Sequence, residues 1–320
     1  MKALAAVLFA AASSFAMAQP VPYPAKPLRF VVGQAPSGAT DIVARLVATK
    51  MTEVIGQNIV VENRSGAAGS IAAAAVAKSP PDGYTVLVVS SSYSINPSVY
   101  LHLPFDPERD LRPVSLLAEA PFLLVVHPSM PVQSVRGLIA LASAKPGDIT
   151  YGSGGNGSSG HVAGVLFESH ARIKLTHVPY KGAGQALVDV LGGQVSFMFG
   201  SVLSTAPHVK QGRLRVLAQT GEKRSSGLPD LPTMAQAGVP GYATTTWYAI
   251  LVPAATPTAV VDTIAAAAKK AVQGADIRER MRGDGADPIG SSPAEFGNHL
   301  AREIAKWKKV VREAGISRQS

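Results

Sequence analysis

The 320-residue chain has no cysteine. That excludes disulfides and a lipid-anchored cysteine behind an export signal, and it permits an oxidising compartment without requiring one. The seven histidines include no pair spaced i, i+3 or i, i+4, so a local metal site has no support. Aromatic residues make up only 6% of the chain, and alanine inflates the 47% hydrophobic content. Beyond Ala18 every apolar run is broken by glycine, proline or charge, and none approaches the ~20 residues that span a bilayer. Acidic residues are the scarcer sign: 30 Lys and Arg stand against 21 Asp and Glu, for a formal net charge of +9. Such an excess serves solubility, or it draws anionic solutes and membrane surfaces. Nucleic acid fits poorly, because the basic residues are scattered. Their one dense cluster, Arg302 to Arg312, alternates with apolar residues as a helix does.

What is present begins with Met1-Lys2, an apolar run from Ala3 to Ala12, and Ala16-Met17-Ala18 before Gln19. One positive charge, a short apolar core and an A-x-A ending describe a cleavable secretory signal over residues 1–18. Its removal takes Lys2 with it and lowers the net charge from +9 to +8. The expected mature chain is exported, and its length fits one large or two medium domains of about 100–200 residues.

The body of the chain alternates strand-like and helix-like segments. Strand Leu28–Val32, helix Thr40–Ile55, strand Ile59–Glu62, helix Ser70–Ala77 and the apolar strand Thr85–Ser90 form a first α/β unit. Strand Leu123–His127 leads to a crossing between Pro128 and Pro131. A second unit then runs through helix Val135–Ser143, strand Ile149–Tyr151, helix Ser158–Ser169, strand Lys174–Val178, helix Gln185–Leu191, strand Val195–Phe199, helix Val202–Gln211 and strand Leu214–Gln219. Pro229, Pro232, Pro240 and Gly241 mark an irregular return. Strand Trp247–Val252 and helices Pro257–Gly274 and Ser292–Ala314 close the chain.

Each unit carries a turn of small residues between a strand and a helix. These are Gln34-Ala-Pro-Ser-Gly-Ala-Thr-Asp41 and Tyr151-Gly-Ser-Gly-Gly-Asn-Gly-Ser-Ser-Gly-His161. Small residues let a ligand approach the backbone, and the free N–H groups of a helix start bind anions. Two such turns point to a small carboxylate gripped from both sides.

Other chemistries fare worse. Gly152, Gly154 and Gly157 satisfy G-x-G-x-x-G, but the acidic residue a dinucleotide site needs about 20 residues on is missing from Leu175-Thr-His-Val-Pro179. Gly157-Ser-Ser-Gly160 is not G-x-S-x-G, and Ser158 reads more simply as an N-cap. His161, about one turn along, either faces the cleft or packs on the first unit. Asp41 either complements its own helix N-terminus or faces the ligand, and beside a carboxylate it would need water or a polar group between the charges. Lys181 is a possible anion attractor, although a lone Lys is usually a solvated surface charge.

Taken in order, several short segments resemble a known family. They include Gly38-Ala-Thr-Asp-Ile-Val-Ala-Arg45, Val60-Val-Glu-Asn-Arg64, Pro81-Asp-Gly-Tyr-Thr85, His177-Val-Pro-Tyr-Lys-Gly182, Leu191-Gly-Gly-Gln194 and Leu228-Pro-Asp-Leu-Pro-Thr233, together with the second turn. The chain resembles the periplasmic solute receptors of the tripartite tricarboxylate transporter, or Bug, family over nearly its whole mature length. The resemblance implies an α/β, two-lobed periplasmic-binding-protein (Venus flytrap) fold, with residues 19–127 and 248–320 in lobe one and 128–247 in lobe two. It implies a periplasmic receptor, with no catalysis and no cofactor, that captures a small organic carboxylate for membrane permease subunits. A periplasmic sensor is the alternative, and an exported hydrolase is third. Carried over, the candidate contacts are Ser37, Gly38, Thr40 and Asp41 from lobe one, and Ser153, Asn156, Gly157, Ser158 and His161 from lobe two, with Tyr180 at the rim. Gln34 departs from the aromatic that many relatives carry, Ser37 from their usual Gly, and Ser65 from their Pro.

Overall fold

The computed structural model describes residues 23–225, 227–283 and 285–313; the export signal expected over residues 1–18 lies outside them. The first apolar run forms β1 (Leu28–Val32), followed by α1 (Ala39–Ile55), β2 (Ile59–Asn63), α2 (Ser70–Ala77) and β3 (Thr85–Ser90). β1 lies between β2 and β3 in parallel pairing, with Phe30 opposite both Val61 and Val86. A strand covered on both faces has no reason to alternate, and β3 is buried at every position. α1 buries Val43, Ala44, Val47, Ala48 and Met51, the stripe that its spacing offers the core. Gly56 ends α1 in the left-handed region at φ 70°, where its N–H reaches the Thr52 carbonyl.

Some elements depart from expectation. α3 (Ser92–Val99) starts immediately after β3, in a Ser-rich stretch containing Pro97 that does not read as helix. β4 (Leu111–Val126) is 16 residues long, where only its end read as strand. Pro113, Glu119 and Pro121 disguise it. The sheet tolerates Pro113 through a register shift between Pro113 and Ser115, since proline has no N–H for the ladder.

The second unit comprises α4 (Val135–Ala144), β5 (Thr150–Ser153), α5 (Ser159–Ala171), β6 (Thr176–Pro179), α6 (Ala183–Leu191), β7 (Phe197–Ser201), α7 (Val202–Lys210) and β8 (Arg215–Gln219). The chain returns through β9 (Thr245–Pro253) and ends with α8 (Thr258–Val272), α9 (Ala275–Gly283), the short β10 (Asp287–Pro288) and α10 (Pro293–Glu313).

β4 joins the halves. From Leu111 to Pro121 it pairs antiparallel with β9; from Phe122 to Val126 it pairs instead with β7 and β8. The strand order β2-β1-β3-β9-β4-β7-β5-β6 therefore places one parallel α/β unit on each side of β4 and β9. This is a two-lobed α/β fold of the periplasmic-binding-protein type. α10 packs Phe296 and Leu300 in the cluster around Trp247. Further along, its Trp307 and Val311 join Ile95 and Val99 of α3 and Val162 of α5. The C-terminal helix thus braces the first lobe and touches the helix behind the second glycine-rich turn.

That turn has a tight support. A Cβ on Gly164, midway along α5, would overlap ring carbon Cε2 of Tyr151. In an exposed helix Gly→Ala stabilises by about 1 kcal/mol, but here steric overlap dominates. Gly164→Ala is expected to lower the unfolding free energy by about 1–3 kcal/mol. A fall in the urea midpoint at unchanged m-value is the signature to look for.

Candidate ligand-binding site

The carboxyl ends of β1, β3, β5 and β7 face one cavity between the lobes, the position where open α/β sheets take ligands. It measures about 50 Å³, room for roughly three to five waters or their equivalent in solute atoms. Strand ends deliver Gln34, Ser90, Ser153 and Ser201 to it, and β9 contributes Thr246 and Tyr248. Helix starts deliver the rest of the polar wall: Thr40 from α1, Ser92 from α3, Ser159 and Gly160 from α5, and Ser204 from α7, with Ala183 opening α6. Phe122, Met198 and Phe199 supply apolar surface.

Among the described residues, the lining holds no charged side chain. What it has is five helix N-termini, each equivalent to roughly half a positive charge. Gly38, Gly182 and Ser201, the caps of α1, α6 and α7, spend no side chain on their own helices. The N–H groups of those first turns are therefore not taken by a side-chain cap. Such a wall attracts an anion and has no fixed negative group to repel it.

Hydroxyl groups knit the lobes together at this point. Ser159 Oγ lies 2.7 Å from Ser91 Oγ and 3.1 Å from Ser92 Oγ, and the Ser159 N–H donates to Ser92 Oγ at 3.2 Å. Ser91 also donates to Thr246 Oγ1 at 3.2 Å, and Ser201 and Tyr248 share a hydrogen bond of 2.8 Å. Gln34 bridges two walls: its Nε2 donates to Ser90 Oγ at 2.9 Å, and its Oε1 accepts from Thr40 Oγ1 at 2.7 Å.

Of the residues proposed from sequence, Thr40, Ser153 and Ser158 line the cavity; the others do not. Asp41 is 3% exposed, and its carboxylate is turned away from the cavity wall. It accepts from the Ser37 N–H at 3.0 Å, from Asn63 Nδ2 at 2.9 Å and from Arg45 Nε at 3.0 Å on both oxygens. Asn63 also donates to the Gln34 carbonyl at 2.9 Å. Asp41 therefore holds the Gln34–Gly38 loop, including Ser37 at φ 64°, in its shape. Burial alone would raise its pKa, but the hydrogen bonds from Arg45, Asn63 and Ser37 outweigh burial and hold it below the ordinary carboxylate value.

His161 does not line the cavity. Its ring stacks on His177 at 4.2 Å between centroids, with Tyr151 on the far side of His177 at 4.9 Å. Burial pushes His161 down to about 4; burial and the neighbouring ring push His177 down to about 3. As neutral rings they carry the turn: His161 Nδ1 accepts from the Gly157 N–H at 3.2 Å, and His177 Nε2 lies 2.6 Å from Ser153 Oγ. Gly157, at φ 75°, packs against Tyr100 and Val99, while the Asn156 carbonyl accepts from Tyr100 Oη at 2.9 Å. Tyr180 donates to Asp189. At the rim, a Cβ on Gly182 would come within 2.7 Å of Ala35 Cβ, so the lobes touch here as well.

Sequence reasoning missed Ser90, Ser91, Ser92, Ser159, Ser201, Thr246 and Tyr248. One signal was available: Ser90-Ser91-Ser92 ends an otherwise apolar strand with three hydroxyls where a helix begins.

An interlobe cavity of hydroxyls and helix starts, on this fold, defines a solute-binding protein. The chain belongs to the tripartite tricarboxylate transporter family of receptors: residues 43–316 match the profile of the Tripartite tricarboxylate transporter family receptor. It is 35% identical over 295 residues to Protein BugT of Bordetella pertussis, covering 92% of this chain and 90% of BugT. Among solved structures it is similar to R. palustris Rpa4515 with adipate (38% identity, TM-score 0.91, 93% of this chain and 100% of that one). It is also similar to MatC of Rhodopseudomonas palustris with bound malate (30%, TM-score 0.86, 90% and 100%) and to the periplasmic binding protein BugD (30%, TM-score 0.90, 93% and 100%). The family and these neighbours are solute-binding receptors, not enzymes.

Asp41→Asn tests the loop-holding role. The amide keeps the size but presents a donor to Ser37, Arg45 or Asn63, and the variant is expected to lose about 2 kcal/mol of stability at neutral pH. Because the folded pKa is depressed, that contribution is complete above the unfolded carboxylate value of about 3.9 and disappears as pH falls through the folded value. Denaturation of both proteins across this range should show their stabilities converging in acid. A constant gap would exclude the ionised carboxylate as its source.

Proposed function

We propose that the protein captures a small organic carboxylate in the periplasm and delivers it to the membrane permease of a tripartite tricarboxylate transporter. The observation that carries this reading is the convergence of five helix N-termini on a cavity lined without charged side chains. A neutral solute gains little from such a field, and a cation is repelled by it. The neighbours solved with adipate and malate support an organic acid, and family membership supports a permease partner. On this reading Thr40, Ser153 and Ser158 meet the ligand, joined by Ser92 and Ser159. Gly38 presents the first turn of α1, and Ser37, Asp41, Asn156, Gly157, His161 and Tyr180 shape the two turns. The two bodies that close on it are the α/β units on either side of β4 and β9, flexing where β4 exchanges β9 for β7 and β8 between Pro121 and Phe122.

A calorimetric panel tests ligand class: adipate and malate against their diamides, with neutral sugars and amines as controls. An acid should bind, and its diamide should bind about tenfold to a hundredfold more weakly, the equivalent of losing charge-assisted hydrogen bonds. Equal affinity for acid and diamide, or binding by sugars or amines alone, would refute the carboxylate assignment. For the partner, uptake of the bound acid should require both this receptor and the permease; uptake that persists without the permease would rule that partner out.

A further inference from the structure

A second, smaller space of about 10 Å³ lies in the first lobe between Gly33, Gly69, Val88 and Tyr93, about the size of one water. Its rear is fixed by backbone, since a Cβ on Gly33 would come within 2.7 Å of Gly69 Cα. Toward the ligand cavity its wall consists of Gln34, Thr40 and Ser90, which line both spaces. Thr40 and Ser90 are short and belong to α1 and β3, so they move only with those elements. Gln34 is long, half-buried and in a loop, and its amide is tied at both ends to the other two residues. It is a neutral partition pinned across the passage. The space behind it is bordered by Val88, Val89 and Tyr93, with the Asn96 amide on one side, so beyond the gauge a chain would meet mostly carbon and one amide.

We infer that Gln34 is the length gauge of the site: its side chain stops the carbon chain of the bound acid and closes off the space behind. The inference rests on the carboxylate reading above and makes Gln34 its specificity-determining residue. An acid one or two methylenes too long must displace the amide and break both of its hydrogen bonds. A shorter one leaves room beside the amide unfilled.

The test is calorimetry on the purified protein with the straight-chain dicarboxylates from malonate to suberate and the matching monocarboxylates. Wild type, Gln34→Ala and Gln34→Leu are compared, with thermal melts to verify folding. Gln34→Ala should move the tightest-binding acid to a longer chain by one or two methylenes. The affinity of that longer acid relative to the wild-type optimum should rise at least about tenfold, the usual worth of a methylene in a fitted pocket. Gln34→Leu keeps the bulk without the hydrogen bonds and should keep the wild-type optimum length. Should Gln34→Ala not fold, Gln34→Ser gives the same comparison. An unchanged rank order in a folded small-residue variant overturns the gauge alone. Wild-type protein that binds no acid of either series, yet binds uncharged solutes, overturns the carboxylate reading and the gauge with it.

Discussion

An anion taken out of water into a cavity without a cationic side chain must be held by oriented dipoles, and on the proposed carboxylate reading most of this structure follows from that requirement. Desolvating a carboxylate is costly unless hydrogen bonds replace its hydration. The replacements here are helix starts and hydroxyls, both short in reach, so the backbone itself has to come to the ligand. That places glycine and serine at the turns and directs α1, α3, α5, α6 and α7 toward one point. It also keeps acidic groups off the wall: Asp41, next in sequence to the lining residue Thr40, turns its carboxylate onto Ser37, Arg45 and Asn63.

The helix starts are divided between the lobes, so both lobes build the cavity wall. α1 and α3 belong to the first half; α5, α6 and α7 belong to the second. The Ser92–Ser159 contacts and the approach of Gly182 to Ala35 occur where the halves touch. β4 runs unbroken through both, exchanging β9 for β7 and β8 as partners between Pro121 and Phe122. Each half has its own turn of small residues, and each turn has its own support. In the first it is the Asp41–Asn63–Arg45 cluster; in the second it is the buried column Tyr151–His177–His161.

The α/β alternation and both turns were legible in the chain, because glycine, proline and serine punctuate apolar runs and mark where strands end and helices begin. β4 was only partly legible: Pro113 and Pro121 break strand pattern, and the sheet absorbs the first through a shift in register that depends on β9, more than a hundred residues later. α3 was hidden by its serines and Pro97. Local pattern marked the two turns, and Thr40, Ser153 and Ser158, which line the cavity, were named there through the family resemblance. Thr246 and Tyr248 could not, since they reach the cavity through the pairing of β9 with β3 and β4. The part played by Asp41 was similarly obscured, because Asn63 comes to it by the pairing of β2 with β1. His161, on α5, found its partner in His177, on β6.

The most direct measurement is a crystal structure of the protein with a bound carboxylate. The account predicts carboxylate oxygens within about 3.2 Å of first-turn N–H groups of α1 and α5 and of the hydroxyls around them, with no Lys or Arg side chain in contact. A carboxylate paired instead with a side chain such as Lys181 or Arg45, away from those helix starts, would contradict it.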